Sequence, residues 1–473
     1  MQQITIAPVT RIEGHACIRL FVDDNGGVCD ARFQVTQIRG FERFITGRPF
    51  FEMPSLTARI CGICPVSHQL ASAKACDQLL AVTIPATAAR LRAILNFGQL
   101  IQSHALSFFY LSAPDLLLSM DHPVATRNFF GVAEKDPQFA RDGIGLRKFG
   151  QQVIERLAGR RIHPTWAVPG GVRSPLEHSA RDAILSDLPA MQTLVRNHLQ
   201  RFQDSLSRYQ EYADNFGSFP SLFLSLVGDQ DQLEHYHGNL RFIDAHGTTI
   251  INDFSPANYQ EYIGEAVEPW TYLKFPYYLP QGYPDGMYRV GPLARLNVSR
   301  CCGTRHADSE LSLFKQLAAG KPVLNSFHAH YARLIEVLYA LEMMEQLLAD
   351  SSILDPHVRA VAGVNQFEGI GAIEAPRGTL IHHYRVDADG LIVRANLIIA
   401  TGHNNLAMNK AILQAARRYI VNDRLEEGML NRVEAVIRTF DPCLSCSTHA
   451  VGSMPFVIEL IAPDGQCIDR IRR

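Results

Sequence analysis

The chain lacks any long apolar run. "ALSFFYLSAPDLLLSM" is cut by Pro114 and Asp115, and "LIVRANLIIA" by Arg394 and Asn396, so nothing reaches the roughly 18 apolar residues of a membrane span. It also lacks a dominant charge. Its 45 Lys and Arg face 47 Asp and Glu, a net −2 at pH 7, which offers no basic field to nucleic acid. The opening "MQQITIAPVTRIEGH" has neither a basic leader nor an apolar one, so no secretory signal is expected. Cysteine is scarce, ten in 473 residues; that excludes a disulfide scaffold and points to a reducing compartment, the cytoplasm. No G-x-G-x-x-G follows a strand-like run, so no dinucleotide fold is expected in this chain. No repeat, low-complexity tract or obvious linker interrupts it.

What is present describes a globular protein with a large core: 47% hydrophobic and 19% charged residues in a chain long enough for one to three domains. "ACIRLFVDD" and "VCDARFQVTQ" alternate around Asn25-Gly26-Gly27 and predict a hairpin. From about residue 56 the period becomes helical through 56–82 and 87–113, and again at about 176–216, 328–349 and 405–420. Gly/Pro-rich connections fall at 163–175 and 275–297. Short strands are predicted at 239–252, 378–387 and 391–400. The expected class is α+β, predominantly α, with a long-helix bundle core and small marginal β-sheets.

Two C-x-x-C pairs stand far apart. "RICGICPVSH" holds Cys61, Cys64 and His68, and "DPCLSCSTH" holds Cys443, Cys446 and His449. The spacing lets two thiolates reach one metal from a single turn, and four thiolates make a soft site for zinc, iron–sulfur or nickel. Plainer readings stand beside this one. A structural zinc site usually draws its pairs from within tens of residues, and here 379 positions separate Cys64 from Cys443. A redox dithiol lacks a thioredoxin-like context. Core packing is the third, and it is the reading for Cys17, Cys29, Cys76, Cys301, Cys302 and Cys467, which share no such spacing.

Taken together, the two pairs resemble the double signature of [NiFe]-hydrogenase large subunits. "PVTRIEGH" (8–15), "RGFE" (39–42), "HPTWAVPGG" (163–171), "VGPLARLN" (290–297) and "EAPRG" (374–378) stand in that family's order. The likeness spans essentially the whole chain and is nearest to the soluble, bidirectional, NAD(P)-linked group. It implies a nickel held by Cys61, Cys64, Cys443 and Cys446, with Cys64 and Cys446 bridging to an iron that carries CO and cyanide. It implies reversible heterolytic cleavage of H2, with Cys443 taking the proton first and Glu13 relaying it. Glu13 read alone is an ordinary surface glutamate. Arg377 resembles the arginine that hydrogen-bonds a cyanide, though it also reads as a structural partner of Glu374. Pro376 lies beside it. Thr401 stands where the family offers a hydroxyl, with Ala400 in place of a neighbouring family proline. His68 matches the histidine that donates to a bridging thiolate, and Asp441 is expected to orient Arg377 or cap the turn carrying Cys443. Some membrane-bound relatives carry an Asp where Ser103 stands here.

The same likeness implies a Mg²⁺ (or iron) near the mature C-terminus, bound by Glu42 and His449, and cleavage of His449–Ala450 by a maturation endopeptidase after nickel-insertion proteins have acted. Residues 1–449 would then form one catalytic domain and 450–473 a removable pro-segment with an ordinary hairpin pattern. No third cysteine cluster exists to hold iron–sulfur centres. A small iron–sulfur subunit is therefore expected, with FMN and NAD on diaphorase subunits. Alternative readings are a hydrogenase of the family not linked to NAD, a sensor, and a scaffold like the family's relative in respiratory complex I. That relative lacks the cysteine quartet.

Overall fold

The computed structural model describes residues 2–420, 425–448, 457–462 and 466–472. Strands β1 (Gln2–Ile6), β2 (Cys17–Val22) and β3 (Val28–Gln34) form an antiparallel sheet in that order. The expected Asn-Gly-Gly turn joins β2 to β3, and Asp23 Oδ1 accepts from the Asn25 and Gly27 N–H groups. Ile18, Leu20 and Val22 are buried while Arg19 is exposed, the period of two that one covered face requires.

The single turn α1 (Phe41–Phe44) precedes the helical region. There the continuous helix suggested over 56–82 is interrupted. Short turns at Met53–Thr57 and Ala58–Ile60 lead to an extended Cys61 (φ −140°, ψ 144°), and α2 (Pro65–Leu80) starts only after Cys64. Proline at the first helical position needs no N–H partner and suits that start. Both cysteines are thereby left outside the helix. Next, α3 (Ala86–Ala105) is buried on nearly every face, as a central helix must be. It continues into π-helical turns at Leu106–Ser112 and Pro114–Leu118.

Two further long helices follow, α4 (Pro137–Ala158), which packs on α3, and α5 (His178–Asp204). The periodicity reading did not mark α4, although Asp136 caps it by accepting from the Phe139 N–H and Pro137 occupies its first turn. Strands β4 (Leu222–Val227) and β5 (Asn239–Ile243) pair antiparallel, and β6 (Ile263–Val267) pairs with β7 (Lys274–Tyr278). So the stretch read as a Gly/Pro-rich connection begins with a strand. After α6 (Pro292–Val298), α7 (Ala329–Ala349) packs on α3 and α5 to complete the helical core. β8 (Glu368–Ala375), β9 (Gly378–Val386) and β10 (Ile392–Ile398) make an antiparallel sheet. Helices α8 (Asn405–Tyr419), α9 (Glu427–Phe440) and α10 (Leu444–Ser447) follow, and the tail forms the antiparallel pair β11 (Val457–Ile461) and β12 (Cys467–Arg472). The architecture is the expected α-rich bundle with small sheets at its margins.

One close approach matters for the site. A Cβ on Gly371 of β8 would meet the Ala71 carbonyl oxygen at 2.0 Å, and one on Gly369 would meet that of Ala75 at 2.2 Å. Both glycines let β8 lie directly on α2. The strand that leads to Arg377 is thus fixed to the helix that follows Cys64.

Candidate metal centre

Helix α9 ends at Phe440, and Asp441 (φ 52°) turns the chain into the extended Cys443. Cys443 forms a parallel bridge with Glu13, and the Leu444 N–H donates to the Glu13 carbonyl at 3.2 Å. Gly14 (φ 86°) allows this contact, because a Cβ there would fall 2.8 Å from Leu444 Cβ. The chain's two ends are thereby joined at the site. Cys61 Sγ lies 3.3 Å from Cys443 Sγ, Cys64 Sγ lies 3.4 Å from Cys446 Sγ, and Cys443 and Cys446 are 3.0 Å apart. All four sulfurs are buried and lie within 4.8 Å of one another, and they form the only such metal-type group among the described residues.

The quartet is chemically incomplete as four thiols. Burial raises Cys443 and Cys446 well above the ordinary thiol range, while hydrogen bonds from Cys443, Cys446 and Cys61 lower Cys64 well below it. Four thiolates crowded into a dry site need a soft metal to neutralise them. The donor set therefore fits a thiophilic metal centre. Two backbone N–H groups, of Ile63 and Cys64, already point at Cys61 Sγ, at 3.2 and 3.4 Å.

The cavity beside the sulfurs has an apolar wall of Ala375, Pro376, Leu380, Ile399 and Ala400, with His68, Arg377 and Thr401 as its polar points. Arg377 Nη2 lies 3.1 Å from Asp441 Oδ2, its Nε donates to the Asp441 carbonyl, and its Nη1 donates to Ser103 Oγ at 3.2 Å. Burial opposes its charge, but Asp441 and the sulfurs of Cys443, Cys64 and Cys61 outweigh burial and hold its pKa above the ordinary range. Arg377 is thus a fixed donor and not a base. Of the two roles expected for Asp441, orientation of Arg377 is the one seen. Glu374 does not pair with Arg377. It binds Arg295 Nη1 at 2.8 Å, Thr379 Oγ1 at 2.6 Å and the Leu226 N–H at 3.0 Å. Thr401 Oγ1 accepts the Cys443 N–H at 3.0 Å, which leaves its own O–H to donate.

Glu13 is half-buried. Its carboxylate receives the Ser445 N–H at 3.0 Å and the Ser445 hydroxyl, so it caps the turn that carries Cys446. His68 Nε2 is 3.3 Å from Cys446 Sγ, and a chain continues behind it. His68 Nδ1 is 3.1 Å from His382 Nε2, His382 Nδ1 is 2.7 Å from Tyr384 Oη, and Tyr384 Oη is 3.0 Å from Ser72 Oγ.

Arg295 supports the whole corner from behind. Besides Glu374 it binds both oxygens of Glu336 and donates to the Ala375 and Pro376 carbonyls at 2.9 and 3.1 Å. Neither Arg295, Glu336, His382 nor Tyr384 was singled out from sequence. Of these, only Arg295 falls within a quoted motif, "VGPLARLN". Glu42 receives the Lys274 ammonium at 2.7 Å and the Leu397 N–H at 2.8 Å. His449 and Ala450 lie outside the described residues. Cys467 corrects one packing assignment, because it is exposed.

Four buried thiols, drawn from segments early and late in the sequence and set beside a small, largely apolar cavity, define a soft-metal centre within an α-rich fold. The comparisons with known proteins are specific. Residues 39–124 and 224–449 match the model described as nickel-dependent hydrogenase, and residues 3–38 match one described as HoxL-like. The chain is 39% identical to the beta subunit of the NAD-reducing hydrogenase HoxS of Cupriavidus necator over the full length of both. It is 40% identical to a chain of the F420-non-reducing hydrogenase vhc of Methanococcus voltae, covering 97% of this chain and 98% of that one. A crystal structure of an NAD⁺-reducing [NiFe]-hydrogenase in the H2-reduced state superposes with a TM-score of 0.92 at 44% identity, over 95% of this chain and all of that one. The chain belongs to the nickel-dependent hydrogenase family, as its large, catalytic subunit.

Proposed function

We propose that Cys61, Cys64, Cys443 and Cys446 would hold the Ni-Fe centre, whose iron would carry CO and cyanide. The convergence of four buried sulfurs on one point carries this reading. When bound, the centre supplies reversible heterolysis of H2. The rest falls to the protein. The apolar wall admits H2 and keeps water out. The Arg377 N–H groups and the Thr401 hydroxyl would offer hydrogen bonds to cyanide ligands of a bound centre, and His68 Nε2 would offer one to Cys446 Sγ, so negative charge at the site would be met by fixed dipoles. Cys443 Sγ takes the proton, and the Glu13 carboxylate, tied to the segment bearing that cysteine, carries it outward.

Electrons leave through a small iron–sulfur subunit, since the ten cysteines here provide no second cluster among the described residues. They pass to NAD(P)⁺ on flavin-bearing diaphorase subunits, a reading supported by the NAD-reducing relatives. No helix among the described residues is long and apolar enough to cross a membrane, in keeping with a cytoplasmic complex. We place the mature end at His449, with residues 450–473 removed by an endopeptidase after nickel insertion. The near-equal identity to F420-non-reducing enzymes favours one rival, electron delivery to a partner other than NAD. The purified complex is expected to contain nickel, to show infrared bands of CO and cyanide, and to reduce NAD⁺ or NADP⁺ with H2. Zinc without nickel would overturn the metal assignment. Reduction of another acceptor alone would select the rival, and an intact mass retaining residues 450–473 in active enzyme would remove the processing step.

A further inference from the structure

Two buried carboxylates each hold both of the segments that lead into the site. Asp115, on the π-helical turn Pro114–Leu118, takes both terminal nitrogens of Arg11, with Nη1 at 2.9 Å. The same carboxylate accepts from Arg438 Nη1 at 2.8 Å and from Asn431 Nδ2 at 3.0 Å, both on α9. Glu434, also on α9, accepts the Thr10 N–H at 3.1 Å, the Thr10 hydroxyl at 2.6 Å and Arg438 Nη2 at 2.6 Å. Arg438 Nε donates to the Thr10 carbonyl at 3.2 Å, and Arg11 Nη1 reaches the Leu111 carbonyl at 2.8 Å. Glu13 lies two residues beyond Arg11 and Cys443 five beyond Arg438, and these two residues form the parallel bridge at the site.

We propose that Asp115 is a positioning residue for proton transfer: by holding Arg11 and Arg438 on one carboxylate, it sets the register between the Glu13 and Cys443 segments. Its role rests on Glu13 serving as the proton relay. The four charged side chains carry two charges of each sign. Arg11, the most open of them, is only 14% exposed, so water and salt screen the set little. Burial alone would raise the Asp115 carboxyl, but Arg438 and Arg11 outweigh it and hold it below its usual range. A guanidinium–carboxylate fork fixes direction as well as distance. Arg11 itself has a left-handed backbone (φ 55°), which a non-glycine residue keeps only where its surroundings over-determine it. Ser445 holds the Glu13 carboxylate, and Asp115 holds the backbone just before it. A relay carboxyl has to stand within hydrogen-bond reach of the group it serves, or of one bridging water, and an error of about 1 Å costs about 100-fold.

The test uses the purified multisubunit complex, as wild type and as Asp115→Asn. Conversion of para-H2 to ortho-H2 needs only cleavage and re-formation of H2. Exchange with D2O, H2 + D⁺ giving HD + H⁺, needs in addition that a proton leave and a deuteron enter. In Asp115→Asn the exchange rate should fall about 10- to 100-fold, while conversion, nickel content and the CO and cyanide bands stay at wild-type values. Arg11→Lys, which keeps the charge but not the fork, should lower the ratio of exchange to conversion by less. An unchanged ratio overturns the proposal, whether both rates hold or both fall, since a damaged or unloaded site lowers the two together. If Asp115→Asn does not assemble, Arg11→Lys decides alone. Glu13→Gln separates the two readings. Normal exchange there removes the relay itself, whereas lost exchange there beside normal exchange in Asp115→Asn removes only the positioning role.

Discussion

Arg295→Met removes the guanidinium that holds the Arg377 corner, and the structure sets the size of the effect. Arg295 is fully buried and binds two carboxylates, Glu336 and Glu374, that are buried as completely. Taking one partner out of a buried ion pair costs about 3–5 kcal/mol. Glu336 keeps His104 at 2.8 Å and His235 at 3.8 Å, and Glu374 keeps Thr379 and Leu226. With about 2 cal/mol/K of unfolding entropy per residue, 473 residues give about 1 kcal/mol per degree. The melting temperature should therefore fall by about 3–5 °C. The deficit carries a pH signature. Burial alone would raise Glu336, but Arg295 outweighs it and holds the carboxyl well below the usual range. That stability is present above the unfolded carboxyl pKa and is lost only as pH drops through the lower folded value. Without the guanidinium burial wins, so the gap to wild type should be widest at neutral pH and narrow on acidification. Arg295→Met/Glu336→Gln should recover stability but not turnover, since the Ala375 and Pro376 carbonyls still lack their donor. Scanning calorimetry from pH 5 to 8 with parallel H2-oxidation assays reads all of this. A variant that melts with wild type and turns over normally would refute the role given to Arg295.

Acid should destabilise the chain before its carboxylates protonate. Burial lowers His104 and His328 to about 4 and His235, His330 and His403 to about 3. The folded state keeps them neutral while the unfolded state takes up protons below about pH 6.5, so each removes about 1 kcal/mol between pH 7 and 5.5. Urea titrations at those two pH values check the sum, and equal midpoints would contradict it. Glu13→Gln keeps the cap on Ser445 but ends proton relay; turnover should fall about 100-fold or more with metal content unchanged, and near-normal turnover would exclude Glu13. Tyr384→Phe removes the hydroxyl that lies 2.7 Å from His382 Nδ1 and should weaken the His68 hydrogen bond to Cys446. The thiolate then donates more charge to the metals, so the CO band should move to lower wavenumber at unchanged nickel content. An unmoved band would show that the chain behind His68 does not reach the metals.

The hairpin at β2–β3, α2, α3, α7 and α8 were legible because one face or one whole helix is apolar at a regular period. β4 was not, because every residue in it is buried and no alternation remains. α4 was missed although Asp136 and Pro137 marked its start. The four cysteines and His68 were visible from spacing, whereas Arg377, Glu13 and Thr401 entered only through resemblance, since an isolated Arg, Glu or Thr carries no local signal. Arg295 and Lys274 reach Glu336, Glu374 and Glu42 across 41, 79 and 232 positions. Which carboxylate an arginine or lysine meets at such separations is a property of the fold, whereas Tyr384 and His382, two residues apart on one face of β9, meet through strand geometry.

The bridge between Glu13 and Cys443 has a consequence for how the protein is made. Cys61 and Cys443, which meet at 3.3 Å, are 382 residues apart. While the ribosome is still extending the chain, the early cysteine pair and the Glu13 loop emerge without the counterparts they bind. Neither can close on a metal until Cys446 has been made. A chain terminated before Cys443 has only two of the four thiols of the site. Selective loading thus doubles as a check that translation has passed the second cysteine pair, and a product truncated before it is left as an apoprotein.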